Sequence, residues 1–143
     1  MTRDEIDAFL RRFVKEFELA HVPGLIECYT KNPEVVSPIF HTLTGQQQLE
    51  QSFHSLFQAF ANWEIKIDDV IIDQGEADRA VMVFTAHAVH RGEIFGVPPT
   101  GRRFENRGVF IFTFEDGRIA KDTRLYDFTG LLVQIGVLRT KSV

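Results

Sequence analysis

The sequence predicts an α+β fold in which a curved antiparallel sheet wraps around N-terminal helices. Three observations carry this. Apolar residues recur at helical spacing through roughly the first sixty positions, and the period falls to two from Trp63 onward. The long strand-like runs 79–93, 103–115 and 118–126 are then joined by loops rich in Gly, Pro and Asp. Helices first and hairpin-connected strands after them describe helices packed on one face of a sheet. The 143 residues suit one domain, 1–143, with enough chain to bury a core unaided by disulfides or metals.

Each element has a local reason. Thr2 and Glu5 form a capping-box pattern, and Ile6, Phe9, Leu10, Phe13 and Phe17 follow on one face, which predicts a helix over about 3–20. Pro23 suits the first turn of a second helix through Leu25, Ile26 and Tyr29, stopped by Asn32-Pro33. A short strand at Val35-Val36 is expected next. Thr44 and Gln47 repeat the capping-box pattern before a third helix that shows Leu49, Phe53, Leu56, Phe57 and Phe60 and ends near Asn62. Trp63, Ile65 and Ile67 alternate with polar residues, but Val70 and Ile72 take the opposite phase, so a β-bulge is predicted at Asp68-Asp69. Leu131, Leu132 and Ile135 predict a short last helix.

Composition narrows the partners. A net charge of −4 and a pI near 5.7 give no basic footprint for nucleic acid or an anionic membrane. No run approaches the ~20 apolar residues that span a bilayer, and the first residues lack an apolar secretion core. The lone Cys28 agrees with a reducing cytoplasm. Fourteen Phe against one Trp and two Tyr promise an aromatic interior, either packed on itself or lining a cavity for a hydrophobic small molecule. Both faces of the 103–115 strand are apolar, Phe110, Phe112 and Phe114 on one and Val109 and Ile111 on the other, so each needs cover; a homodimer would supply it.

Strand alternation sorts the charged residues. His87, Arg91 and Glu93 share one face of the 79–93 strand, and His90 points to the other. His87, His90 and Glu93 therefore do not converge as metal ligands, and neither a metal nor another cofactor is expected. Asp122, Arg124 and Tyr126 share a face of the last strand. If that face meets Arg91 and Glu93, a cavity holds two carboxylates and two guanidiniums; alternatively these are cross-strand ion pairs on an exposed surface. Asp127 is either part of such a site or the N-cap of the last helix. The candidate catalytic residues are Glu93, Arg91, Arg124, Asp122 and Asp127, and the candidate substrate contacts are His87, Phe95, Tyr126 and Phe110.

Three segments carry a resemblance: Gly92-Glu93-Ile94-Phe95-Gly96-Val97-Pro98-Pro99-Thr100-Gly101-Arg102-Arg103, Glu115-Asp116-Gly117-Arg118-Ile119, and Asp127 with Gly130-Leu131-Leu132-Val133-Gln134-Ile135-Gly136. Together with Asn32-Pro33-Glu34-Val35-Val36 they resemble the SnoaL-like polyketide cyclases of the nuclear transport factor two-like superfamily. The resemblance implies a cone-shaped fold around a hydrophobic pocket, commonly dimerising through the sheet. It also implies acid/base proton transfer, in cyclisation or isomerisation, on a hydrophobic carbonyl or ester. Arg91-x-Glu93 before the Pro-Thr-Gly-Arg loop further resembles the limonene epoxide hydrolases, which implies Glu93 activating water, Arg91 orienting a pair of carboxylates, and a second carboxylate on the final strand protonating the epoxide oxygen. That resemblance places the second carboxylate at the position of Arg124. An arginine stays protonated and cannot act as an acid or base there, and Asp122 lies one inward position away, ~6.6 Å along the strand. On the cyclase reading Glu93 is the base and Arg124 or Arg91 stabilises an enolate. The other readings are an epoxide hydrolase, a non-catalytic binder whose arginines clamp an anionic aromatic ligand, and an assembly module.

Overall fold

In the computed structural model, which describes residues 1–139 and 141, helices α1 (Arg3–Glu18), α2 (Val22–Glu27) and α3 (Gly45–Ala59) pack on a six-stranded sheet. The strands are β1 (Tyr29–Ser37), β2 (His41–Thr44), β3 (Phe60–Gln74), β4 (Asp78–His90), β5 (Arg103–Glu115) and β6 (Arg118–Tyr126), followed by α4 (Phe128–Gln134). Their order across the sheet is β2-β1-β6-β5-β4-β3. Neighbours run antiparallel except β1 and β6, which are parallel because the chain returns to β1's edge only after crossing the whole sheet.

The Thr2 capping box forms in full: the Thr2 hydroxyl accepts from the Glu5 N–H at 3.1 Å, and the Glu5 carboxylate accepts from the Thr2 N–H at 2.9 Å. The second expected box does not. Thr44's side chain makes no capping bond, and its N–H is taken by Gln48 Oε1 at 3.0 Å. The second helix also ends earlier than expected, at Glu27, and Tyr29 opens a strand that continues past Pro33. An irregularity in the β1–β6 register between Tyr29 and Glu34 accommodates the proline, which has no N–H for the ladder. β2 was not foreseen.

Two register shifts bend β3. Ile67 pairs with Phe84 and Asp69 with Val83, which leaves Asp68 as the extra residue of the expected bulge; its carboxylate accepts from the Thr85 hydroxyl at 2.6 Å. A second shift lies between Ala61 and Glu64, where Asn62 adopts φ 59°. Bulges increase local twist and curl the strand. The concave face therefore closes over the helices, and Phe13 of α1 meets Phe112 of β5 edge to face with centroids 5.2 Å apart. Phe17, Phe53 and Phe57 continue this cluster between α1 and α3.

Candidate active site

The inward row of β5 reads Phe104, Asn106, Gly108, Phe110, Phe112, Phe114, and that of β6 reads Asp122, Arg124, Tyr126. Register sets Phe110 beside Arg124 and Gly108 beside Tyr126. Gly108 is required by close approach: a Cβ there would stand 2.4 Å from the Leu125 carbonyl oxygen and 3.0 Å from the Phe84 ring. A cavity of about 50 Å³ lies over these rungs, closed from the helix side by Phe17 and Leu56 and from the chain's end by Leu131 of α4. Arg124, Tyr126, Asn106 and Phe110 all contribute to its wall.

Arg124 is 5% exposed and Asp122 wholly buried. Arg124 Nε donates to Asp122 Oδ2 at 3.0 Å, Tyr29 Oη donates to the same oxygen at 2.7 Å, and Arg124 Nη2 donates to Tyr29 Oη at 3.1 Å. The guanidinium carbon sits 5.3 Å from the centroids of both Phe53 and Phe110. Two ring faces and a closed three-residue hydrogen-bond circuit thus fix the cation in one orientation.

Protonation in this cluster follows from burial and charge. Burial opposes the Arg124 charge, but attraction by Asp122 and the bond to Tyr29 more than offset it, and the guanidinium pKa moves up. Burial raises the Asp122 pKa, with Arg124 and Tyr29 opposing; Asp122 Oδ1 has no hydrogen-bond partner among the described residues. Tyr29 is held well above its ordinary value by burial and by the Asp122 carboxylate. Tyr126 is pushed up to about 12, chiefly by burial. The cavity wall therefore offers a cation and a phenol that keeps its proton, and among the described residues it contains neither a carboxylate nor an imidazole.

The structure divides the residues that the sequence grouped together. Arg124, Tyr126 and Phe110 meet at the cavity, with Asp122 behind Arg124. Arg91 and Glu93 do not join them, because β4 ends at His90 and both side chains are exposed on the following loop. The cause is Gly92: the N–H groups of Arg91 and Gly92 both donate to the Ala59 carbonyl at the end of α3. A Cβ on Gly92 would overlap the Gln58 carbonyl oxygen at 1.9 Å. This contact draws the chain off the strand, so alternation stops before position 91. The expectation that Arg91 and Glu93 share a cavity with Asp122 and Arg124, with Glu93 as its base, is corrected accordingly.

His87 lies on the opposite sheet face from Phe84 and stands 3.3 Å from Glu105. Phe95 occupies the tip of the tight turn closed by the Ile94–Val97 bridge, with positive φ at Phe95 and Gly96, and is 65% exposed. It packs edge to face on Phe128 and lines no part of the cavity. Asp127 is the N-cap of α4, its Oδ1 accepting from the Gly130 N–H at 2.8 Å. Sequence reasoning missed Tyr29, which had been placed on a helix, and Asn106, a lone amide in an otherwise apolar inward row; the period-two pattern of β5 was the available signal. Among the described residues no group of three or more His, Cys, Asp and Glu side chains could hold a metal ion.

This architecture has many counterparts. TsrD from Streptomyces laurentii superposes with a TM-score of 0.82 at 23% identity, covering 96% of this chain and 99% of that one. A Catenulispora acidiphila protein with a ketosteroid isomerase-like fold gives 0.75 at 12% identity, covering 91% and 93%. In sequence the chain is 32% identical over 99 residues to the nogalonic acid methyl ester cyclase of Streptomyces nogalater, covering 62% of this chain and 72% of that protein. It is 25% identical over 132 residues to the aklanonic acid methyl ester cyclase of Streptomyces galilaeus, covering 90% and 89%. The model of the SnoaL-like polyketide cyclases matches residues 4–135, nearly the whole chain, and the chain therefore belongs to that family.

Proposed function

We propose that the protein is an enzyme that closes a carbocyclic ring in an aromatic polyketide ester, within the cavity bounded by β5, β6, α1, α3 and α4. The supporting relatives are named for methyl esters, and their activity is ring closure. The observation that carries the reading is Arg124, the one charged side chain in the cavity wall among the described residues, locked by Asp122 and Tyr29 and flanked by two phenyl faces.

Ring closure by carbon–carbon bond formation needs an enolate. A carbon beside a carbonyl loses its proton to water, and the electron pair moves onto the carbonyl oxygen. Arg124 stabilises that oxyanion, and in a site of low dielectric the effect is larger than in water. The enolate carbon then attacks a second carbonyl of the same molecule, and the alkoxide formed takes up a proton. The net change is isomerisation: one C–H bond and the π bond of the attacked carbonyl are lost, and one C–C bond and one O–H bond are gained. Tyr126, which holds its proton up to about pH 12, is the hydrogen-bond donor available to the second oxygen. Asp122 and Tyr29 act through Arg124 as positioning residues.

The cavity volume of about 50 Å³ lies below the ~300–1,000 Å³ typical of small-molecule sites. Substrate entry thus requires outward movement of the half-buried Trp63 and Ile65 side chains and of α4, which carries Leu131. The protein acts in the cytoplasm and as a homodimer through the outer sheet face, where Ile71 and Leu125 are 58% and 55% exposed. No helix among the described residues is long and apolar enough to cross a membrane.

The test is incubation with nogalonic acid methyl ester, with products separated by chromatography and weighed by mass spectrometry. A new product of unchanged mass, or of that mass less one water, is expected from wild type and not from Arg124→Gln. Unaltered substrate after prolonged incubation with folded wild-type protein would reject this ester as the substrate. Tight binding of the ester without turnover would favour the binder reading, in which Arg124 clamps an anionic aromatic ligand.

A further inference from the structure

Asn106 is 7% exposed, and its side chain contributes to the cavity wall. None of the hydrogen bonds among the described residues involves its amide, although its chain neighbour Glu105 is tied through both backbone groups to Gln134 at 2.9 and 2.8 Å. Among the described residues the side-chain atoms that are both sealed from solvent and unpartnered are His90 Nε2 and Asp122 Oδ1; the Asn106 amide is not one of them, so its polar atoms open onto the cavity and are available to a ligand. The neighbours at this end are Phe60, Phe104 and Ala86, which offer no polar side-chain atom.

Asn106 lies four residues along β5 from Phe110, the register partner of Arg124. At about 3.3 Å per residue that is ~13 Å of strand, with the Gly108–Tyr126 rung between them. The cavity wall thus carries the Arg124 cation and the Asn106 amide at separate places along the sheet, with the Tyr126 phenol on the rung between them and aromatic rings around all three. Arg124 can only donate, and an amide both donates and accepts.

We infer that Asn106 is a specificity-determining residue that hydrogen-bonds a further, neutral oxygen of the substrate, distinct from the two that Arg124 and Tyr126 serve, at the end of the cavity away from Arg124. The ligand class this selects is a flat, fused-ring aromatic with an ionisable or enolisable oxygen at one end and a ketone or ester carbonyl at the other. This rests on the proposed role of the cavity as a ligand site, and it adds a requirement that Arg124 alone does not impose: a ligand with the anionic end but no distal carbonyl binds less well.

Two probes separate the two ideas. 6-Acetyl-2-naphthol carries oxygens at both ends of a fused ring pair; 6-isopropyl-2-naphthol has the same shape and lacks the distal carbonyl. Affinities are read by naphthol fluorescence, and thermal stability is measured alongside. Wild type is expected to prefer the acetyl compound about fivefold or more, the usual range for one hydrogen bond. Asn106→Leu should bind both equally and keep a cooperative melting transition, which shows that the variant is folded. Asn106→Ser, which keeps a donor, should retain part of the preference. A preference preserved in Asn106→Leu, or equal binding of both probes by wild type, would overturn the inference while leaving the cavity a ligand site. Binding of neither probe by wild type would overturn the cavity's role and the inference together.

Discussion

Two arginine–carboxylate pairs in this chain have the same spacing, Arg91-x-Glu93 and Asp122-x-Arg124, and they end in opposite environments. On β6 the spacing survives as geometry: both side chains point inward, bond at 3.0 Å, and are buried with Tyr29. After β4 the spacing means nothing, because Gly92 has pulled the chain against the end of α3 and both side chains face solvent without an ion pair to each other. A charge pattern acquires chemical content only where the backbone keeps its alternation and the surroundings exclude water. At ε near 20 two unit charges 4 Å apart interact about four times more strongly than in bulk water.

The contrast is sharpest in stability. Asp122→Ala leaves the Arg124 cation buried without its carboxylate and should cost about 3–5 kcal/mol by denaturant unfolding. Tyr29→Phe removes one hydrogen bond to the Asp122 carboxylate and one from Arg124, and a loss of about 1.5–3 kcal/mol is expected. A loss as small as that of a surface substitution would mean the circuit is not formed in solution. Arg91→Gln and Glu93→Gln should each stay within about 0.5 kcal/mol of wild type; a loss of several kcal/mol in either would break the contrast from the other side.

A smaller effect, pH dependence, tests the burial of Asp122. Its folded pKa is raised from 3.8, chiefly by burial, so the folded state binds the proton more readily than the unfolded chain does. Its contribution to stability is therefore fully present below pH 3.8 and is lost as pH rises through the folded pKa. Asp122→Asn lacks this dependence. The stability of wild type minus that of Asp122→Asn should accordingly fall as pH rises from below 4, read from denaturation midpoints across the acid range. A difference that rises with pH instead would show a carboxylate stabilised by Arg124 beyond its desolvation.

Much of the fold was legible because its signals are local. The Thr2 capping box needs four residues, and the bulge at Asp68 shows as a change of phase between Ile67 and Val70. The inward grouping of Asp122, Arg124 and Tyr126 follows from alternation along one uninterrupted strand. The failures share a tertiary cause. Nothing near Arg91 in sequence announces the Gln58 carbonyl against Gly92, so alternation was carried three residues too far. Tyr29 matches the apolar spacing of Leu25 and Ile26, which predicts helix, whereas its role depends on a partner 93 positions away. Asn106 shows in the sequence as an amide among phenylalanines, but a neutral group gives no charge signal, and its place in the cavity wall depends on strands β4 and β6 brought beside it.

The central claim is that reactivity resides with the buried Arg124 and not with the exposed pair. It is tested most directly by comparing turnover of the aromatic methyl ester by Arg124→Gln and by the Arg91→Gln/Glu93→Gln double variant, each shown to be folded by circular dichroism. Loss of ring closure by about 100-fold or more is expected in Arg124→Gln, the size associated with removing one oxyanion stabiliser, with near wild-type turnover in the double variant. Full activity in Arg124→Gln, with turnover abolished in the double variant, would contradict it.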